Sequence, residues 1–278
     1  MTVDTLYIEL FQPYAQYRNP FTFYYAQTYP LPPKSTIVGM LQNAVGDWYG
    51  NKHGLDAWWS NLKISVHGGF ESYFWNYQQL IKGDLYLKEG QLWNKVKVKK
   101  KIVERLVYNA NGIKAQRTPV YQQELFNGRL FIFLRGDKDL LNEIKDALEK
   151  PKKVLYLGRS EDIIFIRKVE FEPAKSFTNV KGDLRLQYPT YLKADGFPIK
   201  NQKYPVYSIP VKVVFKNNGV PVKHKAEITK KTVREVDFKR VIYTGTDYPI
   251  ILSGELSKVE FFDIDERKFL IIEEFGWL

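Results

Sequence analysis

Apolar positions recur with two different spacings in the first part of the chain. Residues 5–11, TLYIELF, alternate with period two, which predicts a strand. Residues 37–48 carry apolar side chains at i, i+3, i+4, i+7, i+8 and i+11, which predicts one face of a helix. Ser35 is the expected N-cap, and the prolines just before it prevent an earlier start. Gly39 lies off the apolar stripe, so we expect a close neighbour or a bound chain beside it.

A second helix is predicted from Asp137, its expected N-cap, to the residue before Pro151. Further strands are predicted over 61–70, 129–136, 152–158 and 163–171. Residues 71–94 give no assignable pattern. The element order of the first half is then β-α-β-β-α-β, which is the ferredoxin-like arrangement and is shared by RNA-recognition sheets.

An inserted hairpin is predicted at about 95–126, because two extended runs flank NANG and Asn111-Gly112 suits a tight turn. The remainder of the chain contains no good helix, and we expect hairpins that turn at 217–219 and at 263–266. The predicted fold class is therefore α+β. It has a ferredoxin-like domain over 1–172 and a smaller β-rich lobe over 173–278, with Pro173 at the boundary.

Composition excludes several classes of function. The chain has no cysteine, which removes disulfides, thiolate zinc sites and cysteine nucleophiles. Its three histidines, His53, His67 and His224, have no ligand spacing, so we expect neither a metal nor a cofactor. No apolar run approaches a membrane span, and the N-terminal residues lack the basic region of a signal peptide. We therefore expect a cytoplasmic protein without a membrane partner.

The positive charge is concentrated in one segment. The formal net charge is +11, and residues 95–117 contain eight basic residues and one acid, whereas the other 255 residues contain 34 bases and 30 acids. Lys95, Lys97 and Lys99 alternate with valines, which places three ammonium groups on one face of a strand. Such a face suits a phosphate backbone. The alternative is a solvated edge strand that lysines protect from aggregation.

Catalytic motifs are absent from the sequence. There is no G-x-S-x-G, no Walker A and no G-x-G-x-x-G. A metal-independent ribonuclease needs only a base, an acid and a cation, and lysines and tyrosines are abundant here. Aromatic side chains beside the first helix could stack on bases, although most aromatics pack in a core. They are Phe21, Phe23, Tyr24, Tyr25 and Tyr29.

Three stretches together resemble one family. YPLPPKSTIVGMLQNAVG is similar to its first-helix signature, YLGRSEDIIFI to its glycine-containing turn, and REVDFKRVIYTG to a C-terminal segment of type I-B members. The family is the CRISPR-associated "Cas five" group of the repeat-associated mysterious protein (RAMP) superfamily. The resemblance spans nearly the whole chain.

The resemblance implies a non-catalytic RNA-binding subunit of a type I Cascade complex, which caps the 5′ handle of the CRISPR RNA. The hairpin would be a thumb, and the N-terminus of the first helix would offer free backbone N–H groups to phosphate. The implied partners are that handle and the Cascade backbone and large subunits, and target DNA near the PAM-proximal end is a further candidate. The predicted RNA-binding residues are Lys34, Ser35, Thr36, Lys95, Lys97, Lys99, Lys100, Lys101, Arg105, Lys114, Arg117 and Arg159.

One branch of the family, the I-C type, cuts the repeat RNA with a tyrosine, a lysine and a histidine, the last two adjacent near the thumb. The run KVKVKKK contains no histidine, so we predict no catalytic residues. Two alternatives stay open at this stage. One is a repeat-processing endoribonuclease with a relocated base, His53 or His67, and the other is the analogous subunit of a type III effector.

Overall fold

The computed structural model describes residues 4–22, 25–81, 83–98, 101–109, 112–113, 117–173, 175–177, 180–199, 204–244, 250–256 and 258–278. The helices of this part are α1 (Lys34–Val45), a π-helical turn (Ala57–Asn61), α2 (Lys138–Glu149) and a 3-10 turn (Lys225–Glu227). The strands of the first half are β1 (Asp4–Ala15), β2 (Tyr25–Ala26), β3 (Lys63–Ile81), β4 (Asp84–Lys88), β5 (Gln91–Val98), β6 (Lys101–Leu106), β7 (Tyr108–Asn109), β8 (Gly112–Ile113), β9 (Arg117–Arg135) and β10 (Phe165–Pro173). The strands of the second half are β11 (Lys175–Phe177), β12 (Asp183–Leu184), β13 (Thr190–Lys193), β14 (Val206–Asn217), β15 (Val220–Pro221), β16 (Val233–Thr244), β17 (Ile250–Ile251), β18 (Val259–Ile264) and β19 (Arg267–Ile272). The fold is thus mostly β-structure with two α-helices, within the predicted α+β class.

Four antiparallel strands form one end of the largest sheet, in the spatial order β10-β1-β9-β3. Helix α1 lies between β1 and β3 in the chain, and α2 lies between β9 and β10. Leu6, Ile8 and Leu10 of β1 share one face of the sheet and pack in the same core as the apolar stripes of both helices. The burial of this face holds α1 and α2 on one side of the sheet.

Helix α1 begins two residues earlier than it would with Ser35 as its N-cap. Its N-cap is Pro33, with extended backbone at φ −63° and ψ 157°, and no side chain caps the helix. The prediction of Ser35 as the N-cap is wrong, because Pro33 already has the backbone geometry that an N-cap requires. The helix ends at Val45, since Gly46 takes the left-handed conformation at φ 86° that stops a helix.

Helix α2 has the predicted start, because Asp137 Oδ1 accepts hydrogen bonds from the backbone N–H groups of Asp139 at 3.0 Å and Leu140 at 3.2 Å. The strand predicted over 152–158 is wrong, since that segment makes only a single bridge, Tyr156 to Ile163. Its alternating leucines are buried in the core, so the pattern there reflects packing rather than pairing. The fourth strand of the order is instead β10.

Strands β3 and β9 are 19 residues long and pair along their whole length, from Lys63 opposite Arg135 to Ile81 opposite Arg117. Beyond Phe70 the side chains of β3 become mostly exposed, whereas Leu125 of β9 still lies in the core. We call residues 72–81 and 117–126 the ribbon. At its far end β4, β5 and β6 form a separate three-stranded sheet, which we call the distal sheet (Asp84–Leu106).

The pairing in this insertion differs from the predicted hairpin. The runs on either side of NANG do not pair with each other, because β5 pairs with β4 and β6, whereas β9 pairs with β3. Only β7 and β8 pair across the predicted turn, and its residues 110–111 lie outside the described residues. The run 71–81 decides this outcome, since it gives residues 117–127 a longer partner than the lysine-rich strand does.

The strands after Pro173 continue the large sheet. Thr190 of β13 lies opposite His67 of β3, and the order then runs through β16, β14 and β15. Ile209 and Val241 from this part lie in the same core as α1. The two predicted hairpins form, with Asn218-Gly219 and Asp265-Glu266 at positive φ in the turns. The domain boundary at Pro173 stays a prediction, and the halves on its two sides share one core.

The second face of the sheet is covered rather than open. Tyr7, Phe131 and Phe133 on that face are fully buried against Phe262 and Phe269 of the hairpin β18–β19. Ion pairs fix this hairpin to the sheet, from Arg135 to Glu260 at 2.9 Å and from Arg267 to Glu9 at 2.7 Å. Tyr7, Phe131 and Phe133 therefore cannot stack on bases as the aromatic side chains of an RNA-recognition sheet do.

Candidate nucleic-acid interface

The basic residues of the distal sheet divide between its two faces. Residues directly opposite each other in an antiparallel sheet share a face. Lys95 lies opposite Glu104, and Lys97 lies on the same face as Lys95, whereas Lys101 and Arg105 lie on the other face. All four side chains are exposed. The predicted cluster is thus two smaller positive surfaces, one on each side of the distal sheet.

Lys95 is partly neutralised on its own face. Its ammonium group lies 3.4 Å from Glu104 and 4.8 Å from the centre of the Tyr86 ring. A hydrogen bond from Tyr86, together with the charge of Lys95, holds the pKa of the Glu104 carboxyl below its usual range. Lys97 has no ion pair with any described residue, so it is the more available of the two cations on this face.

The remaining residues predicted for this region are only partly described. Lys99, Lys100 and Lys114 lie outside the described residues. Arg117 is the first residue of β9, and its backbone lies opposite Ile81 at the end of the ribbon.

The ribbon and the adjacent strand β2 together present an aromatic surface, of which the sequence predicted only Tyr25. Tyr25, Trp75, Tyr77 and Tyr121 form a cluster with ring centres 5.3 to 6.1 Å apart, and each side chain is between 44% and 61% exposed. We call these four residues the aromatic cluster. Exposed rings of this kind can stack on unpaired bases. The period-two spacing of aromatic residues over 73–77 was the available signal.

The three residues predicted at the start of α1 do not share one site, because Lys34 lies apart from Ser35 and Thr36. Lys34 is 5% exposed, and its Nζ donates to the main-chain oxygen of Leu278 at 3.1 Å, so its amino group is not presented on the outer surface. Burial, with the nearby charges of Lys239 and Lys193, lowers the pKa of Lys34 to about 8. Ser35 and Thr36 are half-buried and line a different cavity of about 370 Å³, which we call the α1 cavity.

The α1 cavity combines aromatic walls with a few polar groups. Trp48, Trp59 and Tyr156 line it, and Gln42 contributes a buried amide Nε2 that has no hydrogen-bond partner among the described residues. Gly39 also lines it, and a Cβ placed on Gly39 would meet nothing within 4 Å. No close neighbour within the described part of the chain therefore accounts for this glycine, whereas the cavity leaves room for a bound group beside it.

Arg159 is a structural cation. Its guanidinium donates to the fully buried carboxylate of Asp162 at 2.8 Å and to Glu124 at 2.8 Å. The Asp162 Oδ2 also accepts from the backbone N–H groups of Arg159 and Gln16, at 2.8 and 3.1 Å. Gly158, at φ 116°, allows this close approach, because a Cβ there would lie 2.7 Å from Asp162 Oδ2. The donors of Arg159 are thus committed to the fold of the glycine turn rather than offered to a ligand.

The three histidines lie in unrelated surroundings. His67 is 2% exposed between the rings of Phe133 and Phe269, and its burial lowers its pKa to about 3. His53 Nε2 lies 2.6 Å from Glu143 Oε2, and His224 is exposed in a loop. Within the described ranges, no group of three or more His, Cys, Asp or Glu residues could hold a metal ion.

Comparison with known proteins identifies the family. Residues 5–242 match the family model described as "CRISPR-associated protein (Cas_Cas5)". The chain therefore belongs to this family, as the three sequence motifs predicted. No curated protein sequence matches the chain.

Several solved structures resemble the chain at low identity. A chain of a "CRISPR RNA-guided surveillance complex" is 15% identical, with a TM-score of 0.49, over 89% of this chain and 90% of that one. A "CRISPR protein from Archaeoglobus fulgidus" is 11% identical, with a TM-score of 0.40, over 96% and 99% of the two chains. Separately, none of the helices in the described residues is both long and apolar enough to cross a membrane.

Proposed function

We propose that this protein is a non-catalytic RNA-binding subunit of a type I CRISPR Cascade complex, of type I-B, and that it caps the 5′ handle of the CRISPR RNA in the cytoplasm. The family match over residues 5–242 carries this proposal. Within it, the first-half unit is a ferredoxin-like RAMP domain, supported by the strand order β10-β1-β9-β3, and the ribbon with the distal sheet is its thumb. The partners would be the backbone and large subunits, with target DNA near its PAM-proximal end.

Two surfaces of the proposed thumb support RNA as the ligand. Lys97, Lys101 and Arg105 are exposed and have no ion pair with described residues, so their charges are available to phosphates. Three of the four rings of the aromatic cluster lie on the ribbon, with Tyr25 of β2 beside them, and the cluster suits unpaired bases. Cations and exposed rings on one projecting element are the combination that single-stranded nucleic acid requires.

The non-catalytic part of the proposal is supported by where the histidines lie. His67 is neutral and closed off from solvent, so it cannot take a proton from an RNA hydroxyl in this conformation. His53 lies against Glu143, and neither histidine belongs to the ribbon or the distal sheet.

The test uses the purified full chain with a labelled repeat RNA in EDTA, resolved in parallel on native and denaturing gels. We expect a mobility shift with intact RNA. A triple variant, Lys97→Gln, Lys101→Gln and Arg105→Gln, should lower the slope of log binding constant against log salt by about 2, since each phosphate contact on a single strand contributes about 0.7. The matched control is Lys150→Gln, Lys152→Gln and Lys153→Gln, which removes the same charge from an exposed segment that lies away from the distal sheet.

The two gels give distinct outcomes. An equal salt slope in both triple variants would exclude the distal sheet as an RNA-binding surface. A discrete cut within the repeat would overturn the non-catalytic assignment and make the protein a metal-independent endoribonuclease. Co-purification with a type III backbone subunit, and with no Cascade subunit, would overturn the type I assignment.

A further inference from the structure

A second basic region lies in a cavity that no single segment of the sequence reveals. Five lysines from five different elements line a cavity of about 410 Å³, with Trp59, Trp277 and Phe238 among its walls. The lysines come from the starts of α1 and β3, the end of β13, the middle of β14 and the second half of β16. We call this site the lysine cavity, and its lysines are Lys34, Lys63, Lys193, Lys212 and Lys239.

The charges of the lysine cavity are not balanced from within. None of its five ammonium groups is ion-paired with an Asp or Glu side chain of the described residues, whereas lysines elsewhere in that part of the chain, such as Lys216 and Lys258, are paired. The lining contains two acids, Asp237 and Glu273, and Glu273 lies 3.9 Å from Lys258. The site therefore has an excess of positive charge.

The positions of Lys34 and Lys193 make this arrangement unfavourable without a ligand. Lys34 is almost fully buried, and its Nζ donates to the Leu278 main-chain oxygen at 3.1 Å. Lys193 is half-buried and donates to the Glu274 main-chain oxygen at 3.1 Å. Burial and the surrounding lysine charges lower the pKa of both groups. Like charges held this close in a partly buried site repel one another, and a bound anion would remove that repulsion.

We propose that the lysine cavity binds a phosphate group, carried by the backbone of a single-stranded nucleic acid. Lysine ammonium groups bind phosphate as point charges and need no planar partner, which suits a site where they converge from five elements. Free phosphate or a mononucleotide presents the same chemistry, and the experiment below separates these sources. The inference does not rest on the proposed function, because the cavity contains none of the distal-sheet residues.

The lysine cavity and the distal sheet lie at opposite ends of one strand. Lys63 is the first residue of β3, and Ile81, at its other end, leads into the distal sheet. A strand rises about 3.3 Å per residue, so the 19 residues of β3 separate the two sites by up to about 60 Å. A single phosphate contact cannot serve both sites, and each can be removed without touching the other.

The experiment compares three variants of the full chain in two assays. The cavity variant is Lys193→Gln, Lys212→Gln and Lys239→Gln; the distal variant and the Lys150, Lys152 and Lys153 control are those described above. The first assay is fluorescence anisotropy of a labelled mixed-sequence single-stranded RNA across a salt series. The second is thermal melting in inorganic phosphate against chloride at equal ionic strength.

We expect the cavity variant to lower the salt slope by about 2 and to lose the rise in melting temperature that phosphate gives the wild type, with both properties kept in the control. Replacing the same three lysines by arginine should restore both. Loss of the phosphate effect with an unchanged RNA slope would overturn the nucleic-acid source in favour of free phosphate or a mononucleotide. A cavity variant that equals the control in both assays would overturn the site itself.

The melting temperature in chloride shows whether the cavity variant is folded as stably as the wild type. Removal of three like charges should leave its melting temperature in chloride unchanged or higher, which checks the repulsion argument directly. If it melts lower, the single variant Lys239→Gln, whose side chain is exposed, should still lower the slope by about 0.7. If only the distal variant loses affinity for RNA, the distal sheet is the RNA-binding surface and this inference fails. If only the cavity variant loses affinity, this inference stands and the distal sheet is excluded as the RNA-binding surface.

Discussion

The distal sheet and the lysine cavity are both basic, and they are built in opposite ways. The cations of the distal sheet lie close together in the sequence, yet the pleat divides them between two faces and one of them meets Glu104. The lysines of the cavity are spread over some 200 positions, yet the fold brings them around one space, and none of them is ion-paired with an Asp or Glu side chain that the structure describes. Clustering along a chain therefore predicts a charged segment, whereas a charged site depends on which elements meet.

Breaking the ion pair of Arg159 should have the largest effect on stability, because its guanidinium is bound to Asp162 and Glu124 within the fold. Asp162→Ala removes the buried carboxylate that Arg159 and two backbone N–H groups share, and leaves the guanidinium and those donors without this partner. Breaking such a buried pair costs about 3–5 kcal/mol, so we expect that loss in the free energy of unfolding measured by urea denaturation. A loss below about 1 kcal/mol would show that Arg159 is not a structural cation.

Removing the charge of Lys34 should raise the free energy of unfolding, because burial in the lysine cavity destabilises its charged form. Its pKa of about 8, against 10.5 for an ordinary lysine, corresponds to about 3 kcal/mol of destabilisation below pH 8. As the pH rises from 8 to 10.5, the folded protein releases the proton that the unfolded chain still binds, so stability rises by about 1.4 kcal/mol per pH unit.

Lys34→Met keeps the apolar stem and removes the charge, so it should raise stability at pH 7 by about 1–3 kcal/mol, after loss of the bond to Leu278. It should also abolish the extra rise between pH 8 and 10.5 when the two proteins are compared by urea denaturation in a buffer without phosphate. If the free energy of unfolding changes with pH equally in the two proteins between pH 8 and 10.5, the charged form of Lys34 is not destabilised by the fold.

The aromatic cluster should bind RNA by base stacking, whereas the cations of the distal sheet and of the lysine cavity should bind its phosphates. Trp75→Ala should weaken binding of a single-stranded RNA by about 1–3 kcal/mol, the value for one stacked base, and leave the salt slope unchanged. Its side chain is 44% exposed, so the protein should remain folded. Anisotropy titrations at several salt concentrations measure both quantities, and Tyr73→Ala, an exposed ring on the same strand outside the cluster, is the control.

The smallest expected effect is a difference in salt slope between single variants of Lys95 and Lys97 in the distal sheet. Lys97→Gln should lower the salt slope by about 0.7, whereas Lys95→Gln should lower it less, because Glu104 already occupies the Lys95 ammonium group. The double variant Lys95→Gln, Glu104→Gln tests the cause, since it removes both members of the pair. Equal slopes for the two single variants would show that the ion pair does not compete with RNA.

The sequence alone predicted the elements whose signals are local: the period-two pattern of β1, the apolar stripes of both helices, the Asp137 cap and the two turns of the second half. It also supported the family, through motifs that lie within single segments. Side-chain spacing and turn chemistry act between residues close in the chain, so they can be recognised without the fold.

Strand pairing and the contacts between charged side chains depend on the complete fold. Residues 117–126 pair with the ribbon strand rather than with the lysine-rich strand, because pairing depends on the competing partners across the whole chain. Lys34 is buried while Lys97 is exposed, although both looked alike as basic residues in the sequence. Burial and electrostatic balance are properties of the assembled neighbours, and those neighbours come from segments that the chain brings together only on folding.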